Sequence, residues 1–239
     1  MRPWNDYIHV VLVEPGDNLN IGSVARAMKN LGFSNLHLVA PANFDIDRAK
    51  VTACWAEEVL ITARKHTKLS DAIAPMADVV GFSTRAGKNK PSPLSLETWA
   101  RSAANFKGSQ TALLFGPEDT GLRSEHMEQC RALIQIPANT ECPSYNLAQA
   151  VLLALYELSR GSWDKENPVP RDLPCWNDYY QVDRMVEEIA QKSGFYNEGT
   201  PEQLPGLIRT VTRRANLDGR EMKVVLGWLS RVLVTIGGR

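Results

Sequence analysis

The sequence predicts an α/β fold, a mostly parallel sheet with helices on both faces, followed by a small C-terminal helical region. Three observations predict it. Short apolar runs, Ile8 to Val13, Leu36 to Ala40, Asp78 to Ser83, Thr111 to Phe115 and Ala132 to Ile136, alternate with stretches of helical spacing. The runs are nearly continuous in apolar character, as suits strands covered on both faces. After Arg160 the strand signal stops and only helical spacing continues.

The elements follow in order. Pro15, Gly16 and Asp17 break the first strand, and Asn20 is expected to cap a helix whose apolar face is Ile21, Val24, Ala25 and Met28, with Gly32 as its C-terminal cap. Pro41 ends the second strand; Asp45 to Leu60 is expected to be helical and Leu60 to Lys65 is a candidate third strand. Ser70 to Met76 reads as a short helix, and Ser95 to Phe106 as a helix begun by Ser95-x-x-Thr98. Pro137 ends the ladder of Ala132 to Ile136, and Ser144 and Asn146 are N-cap residue types just ahead of the apolar helical run Leu147 to Leu158. A helix opening there points free N–H groups at a ligand, although capping alone also explains such residues. The loops after Val13, Phe115 and Ile136 all fall beyond the carboxyl ends of strands, where ligands gather in parallel sheets.

Residues 1–160 are expected to form one α/β domain. Gly161 to Cys175, with three prolines, reads as a linker, and residues 176–239 as a helical extension. Its last helix, Asp218 to Ile236, carries Met222, Val225, Leu226, Leu229 and Leu233 on one face.

Composition narrows the function. The 239 residues are 44% hydrophobic and 23% charged, ordinary for a soluble globular protein. Basic and acidic residues balance at 27 each, so any nucleic acid or membrane must be met by a local patch. The N-terminal apolar run is too short for a signal peptide or a spanning helix, and a cytoplasmic protein is expected. Cys54, Cys130, Cys142 and Cys175 form no C-x-x-C pair, and His9, His37, His66 and His126 no ligand pattern, so neither a metal site nor a disulfide framework is expected.

Three loops carry the chemical signal. Asn20-Ile21-Gly22-Ser23-Val24-Ala25-Arg26 offers a glycine for close approach and a planar cation, though a single helical arginine is usually a solvated charge. Gly116-Pro117-Glu118-Asp119-Thr120-Gly121 suits a ligand-hugging turn, as many βα loops do. Pro143-Ser144-Tyr145-Asn146 precedes the helix from Leu147. No dinucleotide fingerprint or P-loop occurs. Gly81-Phe82-Ser83-Thr84-Arg85 begins like a nucleophile elbow, but Arg85 stands where its second glycine belongs, so Ser83 is read as a site-edge residue. The tract holding Arg85, Gly87, Lys88 and Lys90 is a solvated loop or a phosphate contact.

Together and in this order, the three loops resemble the three motifs of the SPOUT class, the SpoU-type RNA ribose 2′-O-methyltransferases, over about Tyr7 to Arg160. The short N-terminal part and added helical region are most similar to the TrmJ branch, which acts on the tRNA anticodon loop. The resemblance implies a deep trefoil knot, an exception to the rule against knots, together with bound S-adenosylmethionine and a homodimer bringing Arg26 of one subunit to the other's cofactor. It implies that Ser83, Thr84, Gly116, Ile136, Pro143, Ser144 and Tyr145 line the cofactor pocket. Asn20, Arg26, Ser144 and Asn146 would face the ribose as the catalytic set, and Glu118 would support the loop or the dimer contact. Tyr145 stands where leucine is usual.

Arginine is a poor base at neutral pH. Arg26 is therefore expected to fix the target phosphate and stabilise the developing alkoxide, while Ser144 or a water relays the proton. From Pro201 onward there are seven Lys or Arg against three acids. Arg213 and Arg214, with Arg85, Lys88 and Lys90, are expected to meet RNA phosphates, the alternative for the C-terminal helices being dimerisation. Other readings are a ribosomal RNA ribose methyltransferase, an RNA-binding protein that keeps the fold without the activity, and a small-molecule or protein methyltransferase.

Overall fold

Strands β1 (Ile8–Val13), β2 (Asn35–Val39), β3 (Arg64–His66), β4 (Asp78–Phe82), β5 (Leu94–Ser95), β6 (Thr111–Phe115) and β7 (Ala132–Gln135) form one sheet in the order β3-β2-β1-β6-β4-β7-β5. Every neighbouring pair is parallel. This computed structural model describes residues 3–85, 93–103, 109–160, 172–195 and 203–237. The chain divides into two compact units, Met1–Ile73 with Asp78–Arg171, and Ala74–Ala77 with Asp172–Arg239.

In the first unit β1, β2, β4 and β6 are buried on both faces along nearly their whole length, which is why their sequences lack alternation, while the edge strands β3 and β5 are largely exposed. Val10 and Leu12 of β1, Leu113 and Phe115 of β6 and Ile134 of β7 join a core with Ile21, Val24 and Met28 of α1 (Asn18–Leu31) and Val151 and Leu155 of α7 (Leu147–Arg160). Side chains of that size contribute roughly 1.5–3 kcal/mol each when fully buried. On the opposite face β4 lies so close to its cover that a Cβ on Gly81 would sit 2.8 Å from the Cys130 sulfur and 3.1 Å from Leu122.

Several helix ends differ from expectation. Asp17, not Asn20, caps α1: its carboxylate accepts from the Leu19 N–H at 2.9 Å, which leaves Asn20 inside the first turn. Gly32 closes the helix with φ +80, as expected of a left-handed C-cap. The stretch from Asp45 to Leu60 is two helices, α2 (Ile46–Ala53) and α3 (Glu57–Ile61), separated by Cys54 and Trp55, both at positive φ. The third strand therefore starts at Arg64, because Val59 and Leu60 are buried as part of α3. After α4 (Leu69–Ile73), the pair Leu94–Ser95 forms a short edge strand beside β7, an element the sequence does not announce. Ser95 then accepts from the Thr98 N–H at 3.2 Å to open α5 (Leu96–Ala103).

Gly22 permits the α1–α2 crossing. A Cβ there would fall 1.9 Å from the Ala49 carbonyl oxygen, so the glycine serves backbone approach between helices. Thr52 donates to the Leu19 carbonyl at 2.6 Å across the same crossing.

The second unit contains α8 (Trp176–Lys192), α9 (Gln203–Arg214) and α10 (Gly219–Gly237) around Val182, Met222 and Leu229. Its polar centre is an ion pair. Arg213 is 7% exposed, and its guanidinium donates to both Asp183 oxygens at 3.1 and 2.8 Å, with Arg209 3.2 Å from the same carboxylate. The phosphate contact expected of Arg213 is thus not what the structure provides, because the group is buried and paired; Arg214 is exposed. Among the described residues no helix is long and apolar enough to cross a membrane.

Candidate active site

The turn after β6 is shaped by its two glycines. A Cβ on Gly116 would lie 2.2 Å from the Gly121 carbonyl carbon and 2.3 Å from the Leu122 nitrogen, and Gly121 has φ +60. The Gly121 N–H closes the turn on the Pro117 carbonyl at 2.8 Å. Arg85, three residues beyond the end of β4, donates to the carbonyls of Thr120 at 2.5 Å and Leu122 at 2.9 Å. Arg85 therefore clamps two loops together, while Lys88 and Lys90 lie outside the described residues.

The turn after β7 runs from Ile136 to Asn146. Asn146 caps α7, its side-chain oxygen accepting from the Ala148 N–H at 2.9 Å and its carbonyl from the Ala150 N–H at 2.9 Å. The Tyr145 hydroxyl donates to the Pro137 carbonyl at 2.8 Å and ties the end of the turn to its beginning. A leucine could not make that bond. The Ser144 hydroxyl is exposed and makes no hydrogen bond among the described residues.

One side-chain chain joins all three turns. The Asn146 amide nitrogen donates to the Asn20 side-chain oxygen at 2.9 Å, and the Asn20 amide nitrogen donates to the Glu118 carboxylate. The polarity is self-consistent. A carboxylate only accepts, which turns the Asn20 nitrogen toward Glu118 and its oxygen toward Asn146; the oxygen of Asn146 is left for the helix N–H.

Beside this chain lies a cavity of about 520 Å³, within the range of small-molecule sites. All seven residues expected at the cofactor line it: Ser83, Thr84, Gly116, Ile136, Pro143, Ser144 and Tyr145. Phe82, Phe115 and Leu147, which sequence reasoning missed, supply apolar wall; Phe82 and Phe115 stack at 4.5 Å with their planes 11° apart. Glu118 and Asp119 put two carboxyl groups on the lining, complementary to a cationic ligand. Arg26 is exposed, does not line the cavity and has no ion pair among the described residues. Six residues turn a helix through about 600°, so Arg26 leaves α1 on a different side from Asn20. Among the described residues no cluster of three metal-ligating side chains occurs.

A parallel sheet whose loops after β4, β6 and β7 wall a cavity at the carboxyl ends of those strands, with the β6 and β7 turns tied through side chains to Asn20 of α1, is the architecture of a SpoU-type protein. Residues 7–156 match the SpoU rRNA Methylase family, and the chain belongs to it. The tRNA (cytidine/uridine-2′-O-)-methyltransferase TrmJ of Yersinia pestis (strain Pestoides F) is 32% identical over 234 residues, 94% of this chain and 91% of that protein. The crystal structure of TrmJ from Z. mobilis ZM4 is similar with a TM-score of 0.78 and 31% identity, covering 94% of this chain and 98% of that one. A second similar structure, from work on the 2-OH methylation of C/U34 on tRNA, is 32% identical with a TM-score of 0.52 and covers 65% of this chain and 96% of that one.

Proposed function

We propose that the protein transfers a methyl group from S-adenosylmethionine to the 2′-hydroxyl of a ribose in tRNA, in the anticodon loop. The observation that carries this reading is the hydrogen-bonded chain Glu118–Asn20–Asn146, which links the three SpoU motifs, with Glu118 lining the cavity. The likeness to tRNA 2′-O-methyltransferases over nearly the whole chain supports the substrate.

The cavity residues fit the cofactor. Phe82, Phe115, Ile136 and Leu147 suit an adenine ring, and Glu118 and Asp119 suit a ligand carrying a sulfonium and an ammonium. When bound, S-adenosylmethionine supplies an electrophilic methyl group. The chain's own residues then have three tasks. The turn held by Tyr145 and the turn clamped by Arg85 fix the walls, and such positioning is worth several kcal/mol, on the order of 7 to 11 at best. Asn20 and Asn146, already oriented by Glu118, present amide groups toward the ribose. The unpartnered Ser144 hydroxyl, directly or through water, takes the proton from the 2′-hydroxyl and passes it to solvent.

Arg26 belongs to this machinery through a homodimer, in which the arginine of one subunit serves the other's site by gripping the target phosphate and stabilising developing negative charge. The deep trefoil knot of the class, threaded by the turns after β6 and β7, goes with this reading, as does a cytoplasmic location. Residues 1–160 form the catalytic domain and the C-terminal helices add RNA contacts from Arg214.

The test is transfer of labelled methyl groups by the purified protein to tRNA, ribosomal RNA and free nucleosides, followed by alkaline hydrolysis. Label in alkali-resistant dinucleotides from tRNA is the expected result; label confined to ribosomal RNA, or none, refutes the substrate. Arg26→Lys is expected to be nearly as inactive as Arg26→Ala, because a lysine cannot grip a phosphate through two N–H groups.

A further inference from the structure

The donor and the spent product of the proposed reaction differ in one group. S-adenosylmethionine carries a sulfonium; when its methyl passes to the ribose oxygen, the S–C bond breaks, the electron pair stays on sulfur and a neutral thioether remains, while the 2′-hydroxyl proton leaves through Ser144 or water. With its amino acid group ionised, the donor therefore carries one net positive charge and the product none. The protein's basic and acidic residues balance at 27 each, so no overall field separates the two molecules, and a preference for either must come from charges on the cavity wall.

Among the described residues that wall carries three charged side chains, Arg85, Glu118 and Asp119, and so one uncompensated negative charge. They are not equally free. The Arg85 guanidinium donates to the carbonyls of Thr120 and Leu122, and the Glu118 carboxylate accepts from the Asn20 amide. Asp119 is exposed on the same turn and has no hydrogen bond or ion pair among the described residues. The turn does not depend on it, because its closure is the backbone bond from the Gly121 N–H to the Pro117 carbonyl at 2.8 Å. Of the three, Asp119 is the one that can face a bound cation without giving up a bond already made.

We infer that Asp119 reads the sulfonium charge and so sets the preference of the cavity for methyl donor over spent product. The inference rests on the methyltransferase reading and adds to it a residue that governs specificity and product release. Donor and product share an ammonium and a carboxylate, so a wall group that serves either of these binds both molecules alike. A free carboxylate at the sulfonium strengthens donor binding alone, and its attraction ends when the methyl has left. The position agrees. Asp119 follows Glu118 in the chain, and Glu118 is bonded to Asn20, one of the residues assigned to the ribose, so the free carboxylate stands beside the groups where the methyl changes hands. Because Asp119 is exposed, solvent screens the attraction and keeps its effect to a few-fold.

The test is isothermal titration of S-adenosylmethionine and of S-adenosylhomocysteine into three forms of the full-length protein: parent, Asp119→Asn and Asp119→Glu. Titrations are run at about 50 and about 200 mM salt, with the melting temperature recorded on the same samples. Asp119→Asn is expected to raise the Kd for the donor about two- to fivefold and to leave the Kd for the product at its parent value. Asp119→Glu keeps the charge and is expected to keep the parent ratio of the two Kd values. Rising salt should move the parent's ratio toward the product, and that of Asp119→Asn less. Equal losses for donor and product in Asp119→Asn overturn the inference, because the carboxylate then serves a group that both molecules carry. A donor Kd unchanged in Asp119→Asn overturns it too, and either result leaves the proposed activity standing. A parent that binds neither molecule removes the activity and the inference together.

Discussion

Asn146 donates to Asn20 across 2.9 Å, joining residues 126 positions apart in the chain. The bond makes each amide's orientation depend on the other's, and Glu118 sets the direction for both. Asn20→Asp replaces the nitrogen that faces Glu118 with a second carboxylate oxygen. The two like charges then push the motif turns apart. Losing a hydrogen bond to a charged group costs about 1.5–3 kcal/mol, so kcat for tRNA methylation is expected to fall roughly tenfold to a hundredfold. Steady-state kinetics with the melting temperature recorded alongside decide it, and undiminished kcat would show that the amide chain is not used.

Tyr145 holds the opposite side of the cavity. Its hydroxyl, bonded to the Pro137 carbonyl at 2.8 Å, spans a turn whose other internal bonds are short-range, such as Glu141 N–H to the Asn139 side chain at 2.9 Å. Tyr145→Phe keeps the ring against the cavity and removes only that latch. A net hydrogen bond of about 0.5–1.5 kcal/mol corresponds to a two- to tenfold rise in the KM for S-adenosylmethionine, with kcat changed less. Isothermal titration with the donor alone checks the same quantity without turnover; equal affinity in the two proteins would leave the latch without a role in the pocket.

What was legible in the sequence follows from how locally each feature is determined. β1 and β6 are apolar on both faces and bounded by Pro15 and by Gly116-Pro117, so their ends are set within a few residues. The seven cavity positions were legible through a motif pattern, not through polarity or spacing. Asn20 and Asp17 are both N-cap types; Asp17 takes the cap and Glu118, 98 positions away, claims Asn20, a choice no local rule contains. The break after Ala53 was hidden because Cys54 and Trp55, not glycine or asparagine, occupy positive φ. Phe82 and Phe115 look like ordinary strand ends, and only the assembled sheet turns them toward the cavity.

Arg213 was hidden in the same way. A basic run near the end of a helix suggests a solvated patch, whereas the bundle folds Asp183 of α8 over it and covers both. Arg213→Ala leaves the carboxylate buried with Arg209 as its remaining cation. Breaking a buried pair from one side typically costs about 3–5 kcal/mol, and Arg209 offsets part of it, so a loss of about 2 kcal/mol or more is expected in the C-terminal unit. Chemical denaturation followed by circular dichroism measures it. Exposed Arg214, changed to Glu, is expected to leave stability within about 0.5 kcal/mol while weakening tRNA binding. If Arg213→Ala unfolds at the parent midpoint, the pair does not hold the helices together.

A row of histidines crosses β1, β2 and β3 and should make stability fall in acid. His9 Nδ1 lies 2.9 Å from His37 Nε2, and His37 Nδ1 lies 2.9 Å from His66 Nε2, with Gln110 bonded to the far side of His9. Burial disfavours charge on all three, and His37 is pushed down to about 3, first by burial and then by positive charge on His9, His66 and Arg64. The sign follows from which state takes up protons. Above the unfolded value of about 6.5 neither state is protonated and stability is at its full value. As pH falls below that value, the unfolded chain binds a proton that His37 refuses until pH reaches about 3. Stability therefore declines across that window, by up to about 1.4 kcal/mol per pH unit for His37 alone, and His9 and His66, both lowered, act in the same direction. Urea midpoints at pH 7.5, 5.5 and 4.5 for the parent and for His37→Gln separate this from carboxylate effects, which both proteins share. The parent is expected to lose stability more steeply than the variant between pH 6.5 and 4.5; parallel curves would mean that His37 titrates in the folded protein much as it does in the unfolded chain.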